Sequence, residues 1–455
     1  MLKEINIYGA GGIAREIIKI IKQSNLDIKI NVVVTKLDNN YDRCENYKVH
    51  EYKEFIQNTD LSRLTFIVAI SGEEGDYIKK ILTLDRVKKI ITVEEFGKML
   101  FSKFWETPLK KNMIVFSNFD GKGYGDNPKY ICNKIDKSKY ECIWVVNDMK
   151  EVMPIGIKKV KYGSLEHYRA LAEAHFWVDN MHKNMITQKR LGQIYIQTWH
   201  GEGPLKKIEY DSQELPQSYY NIIDHDVNMI DYFISGSEFK TKQCKRAFRY
   251  HGCILETGNP RDDIFFCKKN YKESIFPNLK HKKWILYAPT YRKKKSNVIN
   301  PDIIISRYRE KFNEEDCIIL IKEHPNMTNK ANIYKYSENV INMSNYPDTQ
   351  ELLMAADILI TDYSSIMWDF SLQKKLVILF HPDVESYNKE REYYLPFEKL
   401  PYCEAFNIEE VCNYITNTNM QEYEKNLLLF FTKYKSYDNG NASEKIAALI
   451  DKLNI

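Results

Sequence analysis

The chain has 455 residues, 44% of them hydrophobic and 28% charged, with a formal net charge of +4. That length predicts about three domains, and that composition supplies sizeable cores and excludes wholesale disorder. So small a positive excess argues against a dedicated nucleic-acid binder, which would carry a dense basic face.

The first run, 5–8, is strand-like, with no basic stretch and long apolar segment before it, so no signal peptide is expected. No apolar run approaches the ~20 residues of a spanning helix. The nine cysteines are scattered without a Cys-x-x-Cys pair, as expected of reduced thiols in a cytoplasmic protein.

Residues 1–93 alternate strand-like runs at 5–8, 30–34 and 65–70 with helical stretches, which predicts a small Rossmann-like α/β domain. Gly9, Gly11 and Ala14 fit a G-x-G-x-x-A turn between a strand and a helix, with Gly12 beside them. Such glycines let backbone amides approach a phosphate at a helix N-terminus. The alternative is a tight structural turn, because no acid clearly ends the second strand; Thr35 and Asp38 are the nearest polar candidates.

Residues 94–111 read as a basic amphipathic linker. The wider stretch 79–111 carries nine Lys or Arg against four acids, and Phe96, Met99, Leu100 and Phe104 recur at helical spacing. One expectation is a helix packed between domains. The other is a helix lying on an anionic membrane surface.

Residues 112–252 form a second α/β pattern, with apolar runs at 113–116, 142–146, 176–178 and 195–197. Residues 253–455 form a third, with runs at 284–287, 317–321, 358–360 and 376–380, then helical stretches at 420–434 and 442–453. A ligand of two such lobes belongs in the cleft between them, near the carboxyl ends of the strands.

The chemistry-bearing residues cluster at those ends. His200 follows the run 195–197, with Gly201 permitting close approach and Lys206 and Lys207 after it. That setting suits a general base meeting an alcohol, the alternative being a loop histidine bonded to backbone. His324 follows 317–321 and suits a diphosphate or a leaving phosphate. After 358–360 come Thr361, Asp362, Ser364 and Ser365, where two hydroxyls beside free amides at a helix start make an anion site. The alternative there is serines acting only as N-caps. Asp362 is expected to orient the loop and Asp369 to be a helix-face acid. Arg292, after 284–287, suits bidentate phosphate binding. No metal-ligand spacing or P-loop is present, and neither metal nor cofactor is expected.

Six blocks resemble the CDP-glycerol glycerophosphotransferase family, which includes teichoic acid polymerases and primases. They are Gln197-Thr-Trp-His-Gly-Glu-Gly-Pro-Leu-Lys-Lys207, Gly258-Asn-Pro-Arg-Asp262, Tyr287-Ala-Pro-Thr-Tyr-Arg292, Lys322-Glu-His-Pro325, the stretch 357–369, and Asp438-Asn-Gly-Asn-Ala442. They stand in the family's order over about 190–445, far more specific than any one block alone. The first 90 residues resemble the N-terminal domain of sugar O-acyltransferases acting on nucleotide sugars.

The family resemblance implies a GT-B-like pair of Rossmann-like lobes facing a cleft, with 112–252 on the acceptor side and 253–455 on the CDP-donor side. It makes His200 the base and His324 the leaving-group partner. It puts Arg292, Ser364 and Ser365 around the donor phosphates and Asp348 on ribose hydroxyls. The implied partners are CDP-glycerol or CDP-ribitol and a polymer or lipid-linked acceptor, reached from the inner face of the cell membrane; no nucleic acid is expected. Glu202 stands where the family usually has a small Thr, and is expected to tune His200 or the acceptor preference. Alternatives are a nucleotide-sugar glycosyltransferase of the same fold and a non-catalytic polymer-binding module.

Overall fold

The computed structural model describes residues 4–24, 27–37, 42–203, 205–213, 215–290, 300–312, 317–323, 336–384 and 392–454. Among these residues the chain folds as three sheets, each in sequence order along the chain. Strands β1 (Glu4–Tyr8), β2 (Lys29–Val34), β3 (Arg43–Cys44), β4 (Tyr47–Glu51), β5 (Thr65–Val68) and β6 (Lys89–Thr92) form the first. Its order is β3-β4-β2-β1-β5-β6, parallel except for the β3–β4 hairpin.

The second sheet contains β7 (Lys110–Ser117), β8 (Glu141–Val146), β9 (Ile157–Lys161), β10 (Ala174–Asp179), β11 (Ile194–Gln197), β12 (Tyr232–Ile234) and β13 (Cys253–Leu255). All are parallel, in the order β13-β12-β11-β10-β7-β8-β9. The third contains β14 (Lys283–Tyr287), β15 (Cys317–Ile321), β16 (Val340–Asn342), β17 (Ile358–Thr361), β18 (Leu376–Phe380) and β19 (Cys403–Ala405), in the order β16-β15-β14-β17-β18-β19, again parallel.

The central strands are buried on both faces, which is why they read as continuous apolar runs. In each of the last two sheets the strand order reverses beside the first strand, between β7 and β10 and between β14 and β17. A crevice opens at the carboxyl ends of such pairs. The two lobes present these crevices to one cleft, a GT-B-like arrangement.

The expected linker 94–111 is an integral helix, Val93–Phe104, closed at its start by a capping box between Thr92 and Glu95. Leu100, Phe101 and Phe104 are buried and Phe96 is half-buried. Phe101 packs edge-on against Tyr168 at 6.0 Å, and Arg169 lies over Phe104 at 5.4 Å. The expectation of a helix packed between domains holds; the aromatic face is not free to lie on a membrane, although the nine basic residues of 79–111 remain exposed. One continuous core joins the first sheet to the second, from Ile7 and Ile18 through Phe101 to Val115 and Trp177.

Two boundaries differ from the expected 252/253 division. Strand β13 completes the second sheet rather than opening the third unit. The helix Ala442–Leu453 returns to the second lobe, where Ile446 and Ile450 join the core of Ile114, Phe116 and Ile131. No described helix is long and apolar enough to cross a membrane.

Candidate active site

The turn that carries His200 begins where β11 ends at Gln197. Trp199 has φ +53°, a left-handed conformation that is uncommon for a bulky residue and costs energy. Its surroundings hold it there. The Gln197 side chain accepts from the Trp199 N–H at 2.8 Å, and the Asn127 side chain donates to the Trp199 carbonyl at 3.0 Å. The Trp199 ring is met edge-on by Phe248 at 4.7 Å and flanked by His182 at 5.2 Å.

His200 follows directly in this turn. Its ring lies 4.3 Å from that of Trp199 and 5.0 Å from Phe119. Its Nδ1 is 2.7 Å from the Asn180 carbonyl oxygen. A carbonyl only accepts, so Nδ1 carries the hydrogen and Nε2 keeps its lone pair. Burial pushes the His200 pKa down to about 4; the Asn180 bond and Asp126 oppose this, while Arg261 and Lys240 reinforce it. At neutral pH the ring is therefore an uncharged base with Nε2 as acceptor.

The residues after His200 build the contact between lobes. Gly203 has φ +81°, and a Cβ there would stand 2.7 Å from the ring of Trp368, so only glycine lets the opposite lobe approach. Lys206 pairs with Tyr393 in an isolated antiparallel bridge. The Lys207 N–H donates to the Glu392 carbonyl at 2.9 Å, and the Tyr394 N–H to Leu205 at 2.8 Å. Lys206 and Lys207 thus stitch the lobes together. Glu202 turns away from His200: its carboxylate accepts from Ser237 Oγ at 2.6 Å and from the Gly236 N–H at 3.3 Å.

On the opposite lobe the turn after β17 faces this one. Thr361 is buried and donates to the Ala288 carbonyl at 2.7 Å, and Asp362 accepts from the Thr290 N–H at 3.0 Å and the Tyr363 N–H at 2.6 Å. Both hold the loop after β14. Ser365 precedes the helix Ile366–Ser371 but makes no side-chain capping bond. The Ser364 hydroxyl is 3.5 Å from the Ile366 N–H. The N-cap alternative therefore does not account for Ser365, and both half-buried serines border the cleft. Arg292 and His324 lie outside the described residues.

Asp348 sits elsewhere in the interface. It caps the helix Thr349–Ala355, accepting from the Gln350 N–H at 2.9 Å, and its other oxygen meets Lys129 and the Tyr130 hydroxyl of the second lobe. Its carboxylate is buried and bonded on both oxygens.

Several residues that sequence reasoning passed over pack beside these turns. Asp369, expected on a helix face, is buried and bonded to Arg261 at 3.1 Å. His182 lies between Asp226 at 2.8 Å and Glu209 at 3.4 Å. Burial opposes its charge, but these two carboxylates outweigh it and hold the pKa up at about 10. Asp262 is buried against Asp369 and Asp438, and burial pushes its carboxyl well above the usual range. Only Arg261 and Asp262 carried a sequence signal, in the Gly-Asn-Pro-Arg-Asp block.

Gly9, Gly11 and Gly12 line a separate cavity of about 570 Å³ at the carboxyl ends of β1, β2 and β5, closed on one side by Ser218 of the second lobe. Gly9 has φ +118°, and Gly11 and Gly12 have no atom within 4 Å of where a Cβ would stand. Gly9 is packed against Ala69 and Ile70, whereas Gly11 and Gly12 face open space beside the start of the helix Gly12–Gln23. It lies apart from the cleft residues described above.

The family model of CDP-glycerol:poly(glycerophosphate) glycerophosphotransferases matches residues 99–452. A teichoic acid poly(glycerol phosphate) polymerase of Staphylococcus epidermidis is 30% identical over 92% of this chain and 65% of its own length. That of Bacillus subtilis is 29% identical over 84% of this chain and 54% of its own. The chain thus spans about two-thirds or less of these two relatives. A solved structure of the wall teichoic acid polymerase TagF superposes with a TM-score of 0.71 at 29% identity, covering 84% of this chain and 99% of that one. The chain belongs to the CDP-glycerol glycerophosphotransferase family.

Proposed function

We propose that the protein transfers glycerol phosphate from CDP-glycerol to a hydroxyl of a teichoic-acid-like polymer and releases CMP. The observation that carries this reading is the opposition of the two turns: a Cβ on Gly201, beside the base, would lie 3.8 Å from Ser365 Oγ. A donor diphosphate against Ser364 and Ser365 would put its β-phosphorus within reach of an alcohol held at His200.

The acceptor hydroxyl gives its proton to His200 Nε2 as its oxygen attacks the β-phosphorus. A new P–O bond forms in line with the one that breaks, and CMP leaves with that bond's electron pair. Positioning and charge stabilisation supply most of the rate in such transfers. Glycerol is favoured over ribitol by the glycerol-phosphate relatives named above.

In this reading the second sheet with the C-terminal helix is the acceptor lobe, and the third sheet is the donor lobe. A lipid-linked acceptor would be met from the membrane surface. The exposed lysines and arginines of 79–111 would supply electrostatic attraction to anionic lipid, without the aromatic insertion first expected of that segment. Incubating the protein with CDP-glycerol, CDP-ribitol or a nucleotide sugar tests the reading. CMP released from CDP-glycerol supports it; nucleoside diphosphate released from a nucleotide sugar, with no CMP, rejects it in favour of a glycosyltransferase.

A further inference from the structure

We propose that Arg261 is a positioning residue that couples the His200 turn of one lobe to the Ser364–Ser365 turn of the other. The inference rests on the transferase reading above and adds to it the residue that keeps the two halves of the site in register.

The Arg261 side chain is only 4% exposed, yet it reaches three elements. Its Nη1 donates to the His200 carbonyl at 2.9 Å and to Asp126 at 3.1 Å, both on the acceptor lobe. Its Nη2 and Nε lie 3.1 Å from the two oxygens of Asp369 on the donor lobe. Asp369 is on the helix that starts immediately after Ser365. The Gln350 side chain fixes this carboxylate from behind, donating to Asp369 at 3.2 Å and to Asp262 at 3.1 Å.

The backbone joins in. The Arg261 N–H donates to Asn127 Oδ1 at 3.0 Å, while Asn127 Nδ2 donates to the Trp199 carbonyl. The carbonyls of Trp199 and His200, on either side of the strained turn, are thus both held by the Arg261 assembly. A planar guanidinium can hold Asp369 through Nη2 while Nη1 holds the His200 carbonyl and Asp126; an ammonium has the charge but not the geometry.

The charged groups facing Arg261 are Asp126, Asp262 and Asp369. Those facing His200 are Asp126, Arg261 and Lys240. Substituting Arg261 therefore separates two effects. Arg261→Lys keeps the positive charge and loses the fork. Arg261→Gln loses both, removing one of the two cations that help keep His200 neutral.

The test measures CMP release from CDP-glycerol, donor KM, and the His200 ring titration by NMR. Arg261→Lys is expected to lower kcat about 10–100-fold with donor KM nearly unchanged, because displacing the base costs rate rather than donor binding. Its His200 titration should stay as in the wild type, whereas Arg261→Gln should move it upward. Asp369→Asn, which keeps the side-chain shape, should lower kcat at unchanged donor KM and decides the matter if the Arg261 variants do not fold. Wild-type kcat in Arg261→Lys or Asp369→Asn, or an unmoved titration in Arg261→Gln, overturns the proposal. Wild-type protein releasing no CMP would reject the transferase reading instead, and the titration would still test the coupling.

Discussion

Gly201 and Ser365 belong to opposite lobes, and a single methyl group on Gly201 would stand in van der Waals contact with the Ser365 hydroxyl. The turn that carries His200 and the turn that carries the serine pair therefore share one small space.

The serine pair is expected to act on donor affinity. The double variant Ser364→Ala, Ser365→Ala removes two hydroxyls at the cleft and leaves the buried supports Thr361 and Asp362 in place. Charge-assisted hydrogen bonds are worth about 1.5–3 kcal/mol each, so affinity for CDP-glycerol should fall by one to several orders of magnitude. Calorimetry that gives the same affinity for variant and wild type contradicts the assignment.

His200 sets the acid limb of the pH profile. Burial holds its pKa at about 4, so the ring is an uncharged base at any pH above that value. The kcat/KM profile should accordingly stay level as pH falls through 6.5, the ordinary histidine value, and drop only near pH 4. A limb near 6.5 that disappears in a His200 variant would show a solvated histidine instead.

His182 makes the opposite contribution, to stability. Its folded-state pKa of about 10 lies above the unfolded value near 6.5. The stabilisation it provides is fully present below pH 6.5 and is lost as pH rises through about 10. Denaturation of the wild type and His182→Gln should differ most at or below pH 6.5 and converge toward pH 10. A difference that grows with pH contradicts the buried imidazolium.

Membrane attraction, if it runs through 79–111, is electrostatic, because Leu100, Phe101 and Phe104 are inside the protein. Each basic residue near an anionic surface adds about 1 kcal/mol. Co-sedimentation with anionic vesicles should fall for Lys98→Glu, Lys103→Glu, Lys110→Glu, and should fall for the wild type in high salt. Equal sedimentation by both proteins assigns the attraction to another surface.

The legible parts of the fold were those buried on both faces. Runs such as 284–287, 317–321 and 376–380 announce central parallel strands because both faces need apolar side chains. The edge strand Ile157–Lys161, with three lysines in five residues, and the three-residue strands Tyr232–Ile234 and Cys403–Ala405 lack that signature. In the site, His200, Ser364 and Ser365 could be read because each follows a strand at a turn. The Arg261–Asp369 pair could not, because its partners are 108 positions apart and nothing local distinguishes a buried acid from a helix-face one. The helical period of 96–104 revealed an apolar face but not its partner, which is the second lobe.

The central claim is that His200 takes the proton of an attacking hydroxyl. Its most direct test is CMP release from CDP-glycerol by His200→Ala, measured beside CDP-glycerol binding and thermal unfolding of the same variant. Loss of a general base costs about 10²–10⁴-fold. The account predicts a rate lower by that factor, with donor binding and folding nearly unchanged, since Asn180 and Trp199 position the ring without depending on it. Near-normal CMP release by His200→Ala would remove His200 from the chemistry and contradict the account.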